Sequence, residues 1–257
     1  MIRKTILSLS LLLCTLTLPA AQEIIIATQN YAPYVCWPSS RNYPGFLPEL
    51  LKKIYPKPQY NLKIISQGWQ WSRSNLQRQR VHAIIGMTKA DDPHLIYPRT
   101  PAFSTRYALY LPVDSGFRYT RANDLRLLMK KGFLRDDSVT DDLDRFTQEH
   151  GKDGTIVFYN NPNDAARMVQ DMLDGKIDAF ITTTASAEWA FSRRRDFPET
   201  QIVRHCTFGE PQTYYIGFSN ARKESRALAK RFDDEMKKLV KTRFYFELRK
   251  KYGLPLP

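Results

Sequence analysis

Leu173–Thr184 reads LDGKIDAFITTT, and Leu76–Thr88, roughly a hundred residues earlier, reads LQRQRVHAIIGMT. In each, a leucine closing a helical pattern precedes a basic turn, Lys176-Ile177 in one and Arg80-Val81 in the other. A short apolar run follows and ends on hydroxyl residues, Thr182 to Thr184 and Thr88. A buried strand that ends on hydroxyls sets hydrogen-bonding groups at the carboxyl end of a sheet, where open α/β sheets bind ligands. Written twice, the pattern predicts two similar βα halves facing each other across one cleft.

The flanking sequence extends the rhythm. EIIIATQ reads as a buried strand, followed by a loop, NYAPYVCWPSSRNYPG, rich in turn residues. FLPELLKKIYP is a helix bounded by Pro56, YNLKIISQ a strand, WSRSNLQRQR a helix and VHAIIGMT a strand. This βαβαβ order implies a mostly parallel sheet. STRYALYLPV is a longer strand, and then the rhythm restarts. The end of DLRLLMKKGFLR is strand-like, DSVTDDLDRFTQEH is a helix and GTIVFY a strand. NDAARMVQDMLDG is a helix starting at Asn163/Asp164, KIDAFITTT a strand, SAEWAFSRRR a helix and QTYYIGFS one more strand. Two terminal helices follow, with Leu228, Phe232, Met236, Leu239, Val240, Phe244 and Leu248 at helical spacing.

The first residues predict export. MIRKTILSLSLLLCTLTLPAAQ has Arg3 and Lys4, an apolar run from Ile6 to Leu18 and small residues at Ala20 and Ala21, the pattern of a cleavable signal peptide over 1–21. Leu13 before Cys14 is not the small residue that a lipid-anchor signal requires. Losing Arg3 and Lys4 lowers the formal charge from +13 to +11, 37 basic against 26 acidic residues. Arg222 to Lys251 carries 12 basic and 5 acidic residues. A basic balance favours acidic partners, but a solvated helix face is the better reading of it, and export argues against nucleic acid. Cys36 and Cys206 remain after cleavage, and their spacing leaves pairing open.

These motifs, in this order, resemble the polar amino-acid type (family 3) of periplasmic solute-binding proteins. NYAPYV before GFLPELLKKI, with Gly45, Phe46 and Glu49, is similar to that family's opening loop and helix. HAIIGMT and LDGKIDAFI look like its two strand ends, and YYIGFS with the terminal helices looks like its returning strand and helix pair. The resemblance implies an α/β, two-lobed, type II binding-protein fold with a hinge. Lobe 1 is expected at 22–112 plus 210–257, and lobe 2 at 113–209. It implies a periplasmic, monomeric protein without metal or cofactor, which holds a small-molecule ligand for an ABC transporter permease or a membrane sensor.

The same resemblance implies that Tyr31 stacks on the ligand while Thr88 and the backbone at Gly86 and Met87 bond it. It implies that Arg135 to Ser138 offers helix N-terminal amides. From the residues themselves, Tyr34 and Trp37 extend the aromatic wall, and Trp71 is the tryptophan of its helix expected to face the cleft. The handles of an α-amino acid are missing. Amino-acid binders follow Gly-Met-Thr with Thr-Pro-Glu-Arg, and the arginine clamps the carboxylate. Here Lys89-Ala90-Asp91-Asp92-Pro93-His94 stands instead, and uncharged Thr183 falls where the carboxylate for the ammonium is expected. Common amino acids are therefore expected to bind poorly, and a small polar or anionic solute is expected. His82, His94, His150 and His205 lack metal-ligand spacing; His82 reads as structural, as do Asp178 and Glu188. A lyase or dehydratase on the same fold, or a degenerate binder with a protein partner, are the alternatives.

Overall fold

The two copies of the repeated stretch fold alike down to single hydrogen bonds. Strands Ala83–Met87 and Ala179–Thr183 stand at a constant offset of 96 positions (83 to 179, 87 to 183). Before the first, the Asn75 carbonyl accepts from the amides of Arg80 (2.8 Å) and Val81 (3.4 Å). Before the second, the Asp171 carbonyl accepts from Lys176 (2.8 Å) and Ile177 (3.3 Å). Each helix thus closes on a left-handed residue, Gln79 (φ 56°) in one copy and Gly175 (φ 67°) in the other. The next residue pair tethers each strand to its parallel neighbour. His82 donates its amide to Ile25 O and accepts from Ile25 N at Nδ1 (3.0 Å). Asp178 does the same with Lys130, its Oδ2 accepting from Lys130 N at 2.7 Å.

The computed structural model describes residues 21–36, 43–134, 138–160, 164–193 and 201–256. The signal-peptide reading therefore falls almost wholly outside the described residues. In chain order the strands are β1 (Gln22–Thr28), β2 (Tyr60–Ser66), β3 (Ala83–Met87), β4 (Phe103–Pro112), β5 (Lys131–Leu134), β6 (Ile156–Tyr159), β7 (Ala179–Thr183) and β8 (Ile202–Phe218). The helices are α1 (Phe46–Ile54), α2 (Trp69–Gln77), α3 (Asp141–His150), α4 (Ala165–Leu173), α5 (Thr184–Ser192), α6 (Ser225–Leu239) and α7 (Arg243–Lys251).

The strand order is β2-β1-β3-β8-β4-β7-β5-β6. On one side β2, β1 and β3 run parallel and β8 is antiparallel to β3; on the other β6, β5 and β7 run parallel and β4 is antiparallel to β7. The two halves are mirror-ordered about the central β4–β8 pair. Tyr215–Phe218 of β8 pair with β3, while its residues from Ile202 to Tyr214 pair with β4. The fold is therefore α/β and two-lobed, with β4 and β8 linking the lobes.

Two differences from the sequence reading have physical causes. QTYYIGFS is only the end of β8, which begins at Ile202. Gly209 (φ 56°) and Pro211 read as turn signals, but they flank the position where the β4–β8 register shifts between Thr105 and Tyr107, a bulge that tolerates both. The helix read from Asp137 begins at Asp141, because Thr140 caps it by accepting from Leu143 N (3.4 Å).

The apolar faces bury separately. Ile24, Ile26, Leu50, Phe218 and Phe232 lie in a core under α1, α6 and α7. Leu109, Leu143 and Ile181 fill one face of the other half, and Met168, Val169 and Phe180 the opposite face. Helix α5 is the exception. It follows β7, yet Ala185 and Trp189 pack into the core of the first half. Among the described residues no helix is long and apolar enough to cross a membrane.

Candidate functional site

The loop after β1 is closed by reciprocal backbone bonds, Tyr31 N to Val35 O (2.8 Å) and Val35 N to Tyr31 O (2.9 Å). Gly45 (φ 113°) lets α1 start directly beneath this loop. A Cβ there would lie 2.7 Å from both Tyr34 O and Val35 Cα, so no other residue fits. The Gly45 amide donates to the Tyr252 hydroxyl at 3.0 Å, fixing the loop to the chain's last helix.

Held this way, the loop presents its two tyrosines to the central strands. Tyr34 stacks on Phe103 of β4 with ring centroids 4.0 Å apart, and Phe103 stacks on Tyr214 of β8 at 4.9 Å. Tyr31 adjoins Tyr34 at 5.9 Å, Phe103 at 5.4 Å and Tyr214 at 6.1 Å. Polar groups edge the stack. The Tyr34 hydroxyl donates to Ser104 O (3.1 Å), and burial pushes its pKa up. The Tyr214 hydroxyl donates to Gln212 Oε1 (2.6 Å), and Gln212 Nε2 donates to Ser138 O (3.2 Å) in the opposite half.

A second bridge crosses at the start of α5. Thr183 Oγ1 donates to Ser186 Oγ (2.9 Å), which donates to Ala32 O (2.8 Å) between the two tyrosines. Thr183 Oγ1 also accepts from Ser186 N (3.3 Å), so this fully buried residue serves as the N-cap of α5. The four rings and the hydroxyl and carboxamide groups bonded to them carry no formal charge.

The cluster therefore joins Tyr31, Tyr34, Thr183 and Ser138. Tyr31 and Tyr34 are 8% and 3% exposed, so their rings are packed within the cluster and are not a bare rim. Met87 pairs with Tyr215 next to Tyr214, but its side chain is buried. Gly86 (φ 93°) forms the bulge in that pairing. The Thr88 amide is already engaged, donating to Asp91 Oδ2 at 2.6 Å, and the Tyr97 hydroxyl donates to Thr88 O at 3.1 Å. Lys89 sits with Nζ 4.6 Å from the Tyr215 ring. On α2, Trp69 packs inward while Trp71 is 39% exposed.

Of the expected anion cradle, residues 135–137 lie outside the described residues, and next to Ser138 the chain's own acids stand at the start of α3. Asp144 accepts from Val139 N (3.0 Å) and Ser138 Oγ (2.6 Å), and Asp141 and Asp142 stand in the same first turn. Trp37 and Arg135 lie outside the described residues. Arg106 sits 3.4 Å from Glu210. Cys36 and Cys206 are free thiols, and burial pushes the first up to about 11. Among the described residues no group of acids, histidines and cysteines is placed to hold a metal ion.

Sequence reasoning missed Phe103, Gln212, Tyr214, Ser186 and Asp91. The Tyr214-Tyr215 pair in QTYYIGFS offered a signal, whereas Phe103 and Gln212 are gathered by the long-range pairing of β4 with β8, Ser186 by the packing of α5 against the loop at Ala32, and Asp91 by its bond to the Thr88 amide.

The family model for bacterial extracellular solute-binding proteins, family 3, matches residues 24–255. No curated protein sequence matches the chain. Among solved structures, holo ArgBP from T. maritima is similar with TM-score 0.61 and 19% identity, covering 89% of this chain and 95% of that one. A histidine kinase sensor domain with similarity to periplasmic binding proteins gives TM-score 0.68 at 20% identity, with 92% and 99% covered. A protein of glutathione import via GshT and the cystine ABC importer TcyBC of Streptococcus mutans gives 0.69 at 20% identity, with 92% and 98% covered.

Proposed function

Since the chain belongs to family 3 of the bacterial extracellular solute-binding proteins, we propose that it captures one small polar solute between its lobes. It then presents that solute, in the periplasm, to an ABC transporter permease or a membrane sensor. Lobe 1 comprises 22–112 and 210–257, and lobe 2 comprises 113–209. The observation that carries this reading is the neutral cluster of Tyr31, Tyr34, Phe103 and Tyr214, edged by Ser138, Gln212, Thr183 and Ser186 from both sides of the β4–β8 link. Flat rings supply apolar contact area, and the bordering hydroxyls and carboxamide supply orientation.

The charged ends of an α-amino acid find no partner in this arrangement. Asp91 occupies the Thr88 amide and would repel a second carboxylate, and Thr183 is uncharged and committed to capping. The solute is accordingly a polar molecule without both charges of a free amino acid. Catalysis is not part of the reading. Glu188, whose pKa is raised by burial, lies 3.6 Å from Arg204.

Calorimetric titration with histidine, glutamine, arginine and glutamate tests this. The expected result is no binding below millimolar concentration, whereas native mass spectrometry of protein purified without refolding should show one retained solute per chain. Micromolar affinity for any of the four amino acids would overturn the ligand class.

A further inference from the structure

A cavity of about 630 Å³ lies away from the aromatic cluster, lined by Tyr43, Pro44, Glu49, Lys52, Lys53, Phe244 and Lys251. Its walls are two neighbouring helices. Glu49, Lys52 and Lys53 share one face of α1, at spacings of three and four residues. Phe244 and Lys251 come from the first and last turns of α7. The lining holds three ammonium groups against one carboxylate. That carboxylate is already satisfied, because Glu49 Oε1 accepts from both Lys251 Nζ and the Tyr252 hydroxyl at 2.6 Å. Lys52 and Lys53 have no carboxylate within ion-pair distance among the described residues.

Two of the three ammonium groups lie near rings at the wall. Lys53 Nζ lies 5.5 Å from the Phe244 centroid, and Lys251 Nζ 5.3 Å from that of Tyr43. Arg193, at the C-cap of α5, adds a guanidinium 3.6 Å from the same Tyr43 ring. A cation over an aromatic face is favourable by about 0.5–1 kcal/mol at exposed positions, which keeps these groups near the cavity. Several positive charges lining a concave surface focus potential on what enters it. Lysines of this kind act as point charges that suit the spread charge of a phosphate.

We propose that this cavity is an accessory binding site for a phosphate-bearing anion, distinct from the solute site between the lobes. The volume exceeds that of a bare phosphate and accommodates an ester or a diphosphate, with Tyr43 and Phe244 flanking its organic part. The chain's excess of basic residues on α7 favours the same kind of partner.

The test is titration of inorganic pyrophosphate at fixed ionic strength into the wild-type chain, the double variant K52Q/K53Q, and the control K237Q/K241Q. All four lysines are exposed, so both variants are expected to fold, and the control removes equal charge outside the cavity. K52Q/K53Q should weaken pyrophosphate at least about tenfold and the control less than about twofold, since charge-assisted contacts act at short range. A parallel arm measures sedimentation with phosphatidylglycerol vesicles against phosphatidylcholine vesicles. Loss of phosphatidylglycerol binding in K52Q/K53Q, but not in the control, would assign the phosphate to a lipid head group. Pyrophosphate binding without vesicle binding would assign it to a free anion. Equal weakening in both variants would mean a diffuse field and no site. That result, or no binding of either probe by the wild type, would overturn the proposal.

Discussion

Gln79 and Gly175 end equivalent helices with the same left-handed backbone, yet only one of them is a glycine. A side chain at such a position costs about 1–2 kcal/mol, partly offset because glycine loses more freedom on folding. Gln79→Gly should therefore raise stability by up to about 1 kcal/mol in urea unfolding, and Gly175→Ala should lower it by about 1 kcal/mol. Shifts of the same sign would show that the two turns are not equivalent. His82 fills the place of Asp178 in the repeat. Its Nδ1 must stay unprotonated to accept from Ile25 N, while Nε2 stands 3.1 Å from the Arg222 guanidinium and 3.5 Å from Glu224. Burial first, and then the Arg222 charge, lowers its pKa below the ordinary value of 6.5. The unfolded chain thus binds more protons at this residue than the folded chain does. Stability is full above the unfolded pKa and is lost as pH falls from that value through the depressed folded one. His82→Asn keeps an acceptor without a titration and should flatten the melting temperature across that window; an unchanged slope would place the sensitivity elsewhere. Tyr31, packed among three rings, should behave as core as well as site. Tyr31→Ala should cost about 3 kcal/mol without ligand, whereas Thr88→Ala should leave unfolding nearly unchanged. Equal melting curves for Tyr31→Ala and wild type would contradict the packing.

Among the elements, α5 follows a strand of one half and packs Ala185 and Trp189 into the core of the other. Ser186→Ala would leave the Ala32 carbonyl and the Thr183 hydroxyl without the bonds that cross here, at a cost of about 1–3 kcal/mol. Trp189→Ala would remove the ring that meets Tyr43 at 6.0 Å and Tyr252 at 5.6 Å. Small-angle scattering should show both variants more extended than wild type, and an unchanged radius of gyration would mean that α5 packs without joining. None of this was legible in SAEWAFSRRR beyond the helix itself. What was legible followed from local periodicity. β1, β3, β6 and β7 are short apolar runs with turn residues at each end, and their repeated order placed the sheet halves correctly. β8 was legible only from Gln212, because Gly209 and Pro211 mimic a turn where a bulge absorbs them. The aromatic loop likewise advertised Tyr31 and Tyr34, but its partners Phe103 and Tyr214 lie on strands whose pairing no local pattern encodes. The carboxylate of Asp91 was visible as a residue; its bond to the Thr88 amide was not.

At the scale of the molecule, mirror-ordered halves are joined by one antiparallel strand pair, β4 in one direction and β8 in the other. In the proposed function this join is the hinge, and a solute shifts its open–closed balance by contacting one state more than the other. The most direct test is the distance between the halves with and without solute. Spin labels at Lys63 of β2 and at Lys152 in the turn before β6, both exposed and at outer edges of opposite halves, report it by pulsed dipolar spectroscopy once Cys36 and Cys206 are replaced by serine. Protein purified without refolding should give one narrow distance, and protein stripped by unfolding and refolding should give a longer and broader distribution that narrows again when the released solute is returned. Identical distributions in all three samples would contradict closure of the lobes on a ligand.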